Sequence, residues 1–576
     1  MPENSRVSDA PSITSTANAR DRQKSVVIFA ALVAGFLMLY HAGGDFLPGN
    51  DARANIYLPH ALLEHGTPTF TPDNYPHMFS WKLSEQGGGE PTLARVTSWS
   101  EAASDGILWA EHFAAGRLSL VGPKYYLAPT VDPERLGYAN TFGIGAGAFA
   151  IPTVAIASLF MDDWTENEAL LWFAGKFTAS LCVALSVGVL FLAAIRLTST
   201  SAATAIAIAY GAGTCVWSIS SQSLWQSGPN VLMLSLAIYC LLRIREHSVW
   251  AAGCGAAVGL AVLCRPTSAL VVIAIGGYLL AQAIWQQRDS APQQTRAAAL
   301  RSFLLFIAAG LPWAVLLGAY NWYYLGTPWN FGQLAGSELV AAAKNNSTQL
   351  WHANLIPSLY GILASPSRGL LVFSPILLFG FWGAVRAWRG QAFAALRPLT
   401  VAVVMMLFVQ AAWFDWYGGW SFGYRALVDV CPLLAICAVA VIGEIAIRPS
   451  RLALCGVLLL FSIGVQSLGA FAYDVVGWNN RAAYLVEEVS GGEGSKLATK
   501  QKETAPATRR VVIDPFHAQQ LAAGNVRVQK IGLDIDRPAF RHRLWSLSDS
   551  QIVYYATHFT ESRRTRQQLV RRTVAP

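Results

Sequence analysis

Charge is scarce in this sequence. Asp, Glu, Lys and Arg make up 13% of its 576 residues, about half of the roughly 25% usual in a soluble domain, which excludes an ordinary water-soluble globule. Paired cysteines are missing too. The eight cysteines (Cys182, Cys215, Cys240, Cys254, Cys264, Cys431, Cys437 and Cys455) all sit in apolar runs, and no CxxC occurs. Neither a disulfide framework nor a zinc site is indicated. No internal repeat is visible, which counts against inverted-repeat transporters. No small-residue cleavage site follows the first apolar run, near Val26 to Tyr40 behind Arg20, Arg22 and Lys24, so that run reads as an uncleaved signal anchor.

What the chain has instead is apolar length. Hydrophobic residues reach 53%, in recurring runs of about 20 residues, each able to cross a bilayer. The expected class is an all-α polytopic membrane protein. The formal charge of +8 then needs no nucleic acid, because arginines in cytoplasmic turns account for it. They gather at Arg196, Arg243/Arg245, Arg288/Arg296/Arg301, Arg386/Arg389/Arg397 and Arg448/Arg451.

The positive-inside rule makes those turns cytoplasmic and sends the other connections outside. A consequence falls on Phe142–Phe160. It lies between two outer segments and therefore should not cross, but form an interfacial or re-entrant helix packed on protein. About eleven spans of ordinary length remain, near 25–41, 169–196, 201–219, 229–245, 249–265, 267–286, 302–325, 369–387, 398–414, 427–447 and 452–472. The expected organisation is a cytoplasmic tail 1–24, a transmembrane module 25–472 with a first outer loop 41–168, and an extracytoplasmic region 473–576. "RRVVID", "NVRVQKIGL" and "QIVYYATHF" in the last region read as strands of a small α+β lobe. "SGGEGSKLATKQKETAPATRR" reads as a linker, and the basic end "ESRRTRQQLVRRTVAP" as a solvated face.

The stretch "LPGNDARANIYLPHALLEHG", directly after the first span, carries unusual charge for a membrane-edge loop. Asn50 or Asp51 suits a helix N-cap and Gly66 a C-cap, with Pro59 splitting the helix in two. Ile56, Leu62 and Leu63 form an apolar stripe that would lay the helix on the outer membrane surface. A carboxylate there suits proton acceptance from a hydroxyl nucleophile. Basic residues at outer span ends, where arginine is normally sparse, suit a lipid-borne phosphate. They are Arg265 in "LCRPTSAL", Arg368 in "SPSRGLL", Arg425 in "WSFGYRAL" and Lys124 in "GPKYY". His60 and His65 of "HALLEH" are five apart rather than the four a helix face needs, so no metal site is indicated.

The order of these features resembles the GT-C superfamily of integral membrane glycosyltransferases. The similarity is collective: "GNDARANIYL", "TFGIGAGAFAIP", "GTCVWSISSQSLWQSGP", "LCRPT", "NWYYLGTPWNFG", "SPSRGLLVFSPILL" and "WYGGWSFGYRALVDVCPLL". It implies an inverting transfer of sugar from a polyprenyl-phosphate donor to a glycan, lipid or protein acceptor, outside a bacterial inner membrane, with no cofactor required. Asp51 becomes the base with Asp45 in reserve, and Arg265, Arg425, Arg368 and Lys124 the phosphate-side residues. Trp225, Gln226, His60, Glu64 and Trp420 become acceptor- or sugar-side candidates. A transporter or flippase, a lipid-carrier ligase or polymerase, and a membrane scaffold are the other classes.

The arginine distribution makes a topological prediction. Cysteines introduced at Asp163 and Ser495 should both react with a membrane-impermeant thiol reagent added from outside. Protection of either one contradicts the assignment.

Overall fold

The computed structural model describes residues 19–83, 92–94, 118–161, 163–164, 167–285, 296–345, 347–351, 354–488, 509–512 and 526–574. Helices occupy every expected span. Six are long and apolar enough to cross a bilayer: Gln23–His41, Glu168–Ala194, Pro266–Ile284, Arg296–Leu325, Ala394–Ala412 and Pro449–Ala472. Ser227–Arg243, Val249–Cys264, Leu355–Ala364 and Pro375–Ala387 are apolar but shorter. The chain is a multi-pass membrane protein built mainly of helices, with a small sheet content. The arginine-bearing turns meet in pairs: Glu246 takes Arg196 and Arg243, and Glu444 takes Arg386 and Arg451.

Three of the expected spans are interrupted, 427–447 only at Ala438 between Val430–Cys437 and Val439–Ala446. Thr200–Gly213 gives way to a π-turn at Val216–Ser220, and Leu370–Phe373 is cut from Leu378–Ala387 at Ser374–Pro375. Backbone groups freed by such breaks must be satisfied internally in a bilayer. Here side chains do so. Tyr424 Oη accepts from the Cys215 amide at 3.2 Å and bonds Ser374 Oγ at 2.6 Å. Gln466 donates to the Phe373 carbonyl at 3.0 Å and accepts from Ser218 at 2.6 Å.

The piece 142–160 forms two helices, Gly145–Ala148 and Ile151–Ser158. The longer has 8 residues, about 12 Å of rise against the ~30 Å of a hydrocarbon core. It is too short to cross. Both pack on Asn50–His65, which departs from expectation in two ways. The helix runs unbroken through Pro59, and Ala52 to Ala61 are all buried rather than laid on a surface. The Asn55 carbonyl, which Pro59 deprives of its helical donor, faces Gly147, where any Cβ would stand 2.9 Å away. Burial on all sides holds together a helix that its sequence alone would interrupt. As expected, Gly66 closes it in the left-handed conformation, φ 66°.

The first outer loop contains two three-stranded antiparallel sheets. A third belongs to the C-terminal lobe, in the order Arg509–Val512, Asn480–Glu488, Val526–Asp534. Most of the expected linker, and Ser495 within it, lies outside the described residues. "QIVYYATHF" is not a strand. Gln551–Thr557 is a helix capped by Ser550, and Tyr555 is buried against Tyr473 and Phe422.

Nor is the basic end merely solvated. Phe559–Val574 is a helix whose Arg566 is fully buried. Its guanidinium reaches Asp45 Oδ1 at 2.7 Å, Gln222 Oε1 at 3.2 Å and the Ala470 carbonyl at 2.8 Å. Lys176 donates to the Asp45 carbonyl and, at 3.3 Å, to Gln222. The end of the chain is thereby keyed into the end of the first span.

Removing one partner of a buried pair leaves the other charge uncompensated, at about 3–5 kcal/mol. Arg566→Met should therefore lower stability by that amount in thermal unfolding of the purified protein. Arg564→Met, at an exposed position of the same helix, should change it by less than about 0.5 kcal/mol. Equal effects would contradict the keyed docking.

Candidate active site

A cavity of about 1160 Å³ opens where outer loops, helix ends and the C-terminal lobe meet. Asp51, Arg265, Arg425, Trp225 and Trp420 all line it. The helix Asn50–His65 starts at Gly49, so Asp51 falls in the first turn, where the helix dipole favours negative charge. Its two carboxylate oxygens have different partners. Oδ1 accepts from the Tyr125 hydroxyl, and Oδ2 pairs with Arg425 Nη1 at 2.8 Å.

Arg425 in turn lies over the Trp225 ring, 4.7 Å from its centroid. Trp225 presses so closely on Gly49 that a Cβ there would stand 2.4 Å from the indole. The residue before the acidic helix, the tryptophan and the arginine thus form one stack. Burial is the largest influence on Arg425 and would lower its pKa, but Asp51 together with Tyr125 and Tyr473 outweighs it and holds the guanidinium above its ordinary value. Arg265 ends Val249–Cys264, just before Pro266. It gives one N–H to Asp429 Oδ2 at 2.9 Å and another to the Ala426 carbonyl at 3.1 Å. Residues 160 positions apart in sequence (425 − 265) therefore share one cavity, each arginine beside a carboxylate.

Apart from Trp420, the far wall went unnoticed in the sequence. The helix Gly332–Asn345 presents Gln333, Ser337, Val340 and Lys344 to the cavity, at helical spacing. Lys344 bridges Asp415 Oδ2 and Asp536 Oδ1, both at 2.9 Å. Burial, reinforced by Asp415, pushes the Asp536 carboxyl above its usual range against the pull of Lys344. Trp420 donates its indole N–H to Asp534 at 2.9 Å. Tyr125 was missed although it adjoins Lys124. Asp415 was missed inside "WFDWYGGW", where an acid among aromatics was the available signal.

Six sequence candidates do not line the cavity. Asp45 is committed to Arg566. Arg368 is buried and donates to the carbonyls of Ser367, Tyr417 and Gly419 and to Asn479 Oδ1, all within 2.9–3.0 Å. It braces the loop against the C-terminal lobe, and burial draws its pKa down to about 10. Lys124 donates to the His77 carbonyl at 2.7 Å. Gln226 donates to the Phe142 carbonyl at 2.8 Å. His60 is buried, bonded to Tyr75 at 2.7 Å, and burial brings its pKa down to about 4, so it stays neutral. Glu64 sits at the exposed end of its helix. Apart from Glu64, these residues are kept from the cavity by partners already met inside the protein.

Residues 170–313 match the model of the dolichyl-phosphate-mannose-protein mannosyltransferase family, about a quarter of the chain. That family is of GT-C type. No curated protein matches the chain. Among solved structures it is similar to ArnT from Cupriavidus metallidurans bound to undecaprenyl phosphate, at 13% identity and a TM-score of 0.37, over 78% of this chain and 70% of that one. It is also similar to the apo state of the same enzyme, at 14% identity and a TM-score of 0.42, over 78% and 65% of the two chains.

The Gly49 contact predicts the outcome of one methyl group. Gly49→Ala must push Trp225 from beneath Arg425, an overpacking cost of about 1–3 kcal/mol. Thermal unfolding should show that loss, whereas an unshifted melting temperature contradicts the stack.

Proposed function

We propose that this protein transfers a sugar from a polyprenyl-phosphate donor to an acceptor hydroxyl, on the extracytoplasmic side of a bacterial inner membrane. The observation that carries the reading is the meeting of Asp51, Arg425 and Arg265 at one cavity beside apolar helix ends. Further support is the family matched over residues 170–313, whose description specifies a lipid-phosphate sugar donor. A transporter would offer its broken helix ends to a ligand. Here those ends are bonded to Tyr424 and Gln466.

The resting cavity is charge-balanced, with Arg425 beside Asp51 and Arg265 beside Asp429. A donor phosphate entering between the arginines competes with Asp51 for Arg425. As it takes that guanidinium, Asp51 Oδ2 loses its ion-pair partner and becomes the proton acceptor. The acceptor oxygen then attacks the anomeric carbon from the face opposite the phosphate. The new C–O bond forms, the bond to the phosphate oxygen breaks, and the hydroxyl proton passes to Asp51. Configuration inverts. The departing phosphate carries the developing negative charge, which the arginines stabilise better than water would. One carboxylate suffices, because the phosphate leaves without needing a proton.

Asp51→Asn should cut turnover by about 10² to 10⁴. Lipid-phosphate binding should stay equal or tighten, because Arg425 loses its competing carboxylate. Turnover near the wild-type rate in a folded variant would overturn the assignment.

A further inference from the structure

The far wall of the cavity has a chemistry of its own. Asp415, Asp534 and Asp536 line it with Trp420, against two cations, Lys344 from the neighbouring helix and the exposed Arg537. Gly419 makes their approach possible. Its φ is +61°, and a Cβ there would stand 3.2 Å from both Asp415 Oδ2 and Lys344 Nζ. Each carboxylate already accepts one or two hydrogen bonds, which leaves lone pairs for a ligand, since an ionised carboxylate offers about four acceptor sites. Asp415 takes the Gly419 amide at 3.1 Å and Lys344 at 2.9 Å. Asp534 takes Trp420 at 2.9 Å and the Asp536 amide at 3.0 Å.

An independent observation points to a ligand. Ser421 is 1% exposed and lines the cavity, yet its hydroxyl has no hydrogen-bond partner. A buried polar atom left without a partner costs about 1–3 kcal/mol, and the residue that carries it belongs to the cavity wall.

We infer that the wall formed by Lys344, Asp415, Trp420, Ser421, Asp534 and Asp536 is a saccharide subsite, which takes an uncharged or amine-bearing polyol acceptor and rejects a phosphorylated one. Carboxylates accept from paired hydroxyls, the indole face covers the apolar side of a pyranose ring, and Ser421 completes the set. Three acids against two cations leave this wall net negative, which disfavours an anionic acceptor, whereas the opposite wall, with Arg425 and Arg265, suits the donor phosphate. The inference rests on the proposed transfer reaction, and deepens it by assigning the acceptor class. It also gives the C-terminal lobe, which supplies Asp534 and Asp536, a part in acceptor choice.

The test uses the full-length protein in lipid nanodiscs, with two separate titrations. Maltotriose, its phosphorylated derivative and an amino-sugar oligosaccharide probe the far wall by calorimetry, and undecaprenyl phosphate probes the near wall. Wild type should bind the neutral or amino oligosaccharide at least tenfold more tightly than the phosphorylated one. Asp534→Asn and Trp420→Ala should each weaken saccharide binding about tenfold or more, with lipid-phosphate binding and melting temperature unchanged. A variant that melts early is replaced by Ser421→Ala, which should also weaken saccharide binding. Lipid phosphate bound but no oligosaccharide bound overturns the subsite and leaves the transfer reading standing. Oligosaccharide bound but no lipid phosphate bound sustains the subsite and overturns the transfer reading. Tighter binding of the phosphorylated probe overturns the acceptor class.

Discussion

Asp51 and Arg425 lie 2.8 Å apart at the edge of an apolar bundle, and the geometry of the cavity depends on that pair. Charge is expensive at a membrane edge unless it is matched. Each group is therefore held where the other can reach it: Asp51 by the first turn of a buried helix, Arg425 by the ring of Trp225. The same matching makes the pair responsive. An incoming phosphate that takes the guanidinium changes the surroundings of the carboxylate without any movement of a helix.

The cavity is a composite of distant parts of the chain. Its near wall comes from the segment after the first span and from the loop before Val430–Cys437. Its far wall comes from Gly332–Asn345 and the C-terminal lobe. Arg566 on Asp45 and Arg368 on Asn479 fasten that lobe to the helical module. Arg368, with the same sequence signature as the cavity arginines, thus does a different job, and Arg566 of the basic end shares it. They align the walls between which the chemistry is proposed to occur.

Much of this was legible. The apolar runs marked the expected spans of the module, though not Gly332–Asn345 or Leu355–Ala364, and the arginine distribution singled out 142–160 as a piece between two outer segments that should not cross. Asp51, Arg265 and Arg425 stood out because a charge at a span end asks for a partner. The same rule over-reached at Asp45, whose partner Arg566 lies 521 positions away, and at Arg368, whose partners Tyr417, Gly419 and Asn479 lie 49, 51 and 111 positions away. Lys344 and Asp536 were passed over for the opposite reason, since they sit in polar segments where charge is ordinary. Pro59 and "QIVYYATHF" misled because local propensity was read without burial. Packing carries the helix through Pro59, and the buried ring of Tyr555 favours a helix over a strand.

The central claim is that Arg425 exchanges Asp51 for a lipid-borne phosphate. Native mass spectrometry of the protein titrated with undecaprenyl phosphate tests it most directly, comparing wild type with Arg425→Gln. A charged hydrogen-bond partner is worth about 1.5–3 kcal/mol, so the variant should bind the lipid phosphate roughly tenfold or more weakly. Binding as tight as that of wild type, in a variant that folds normally, would contradict the account.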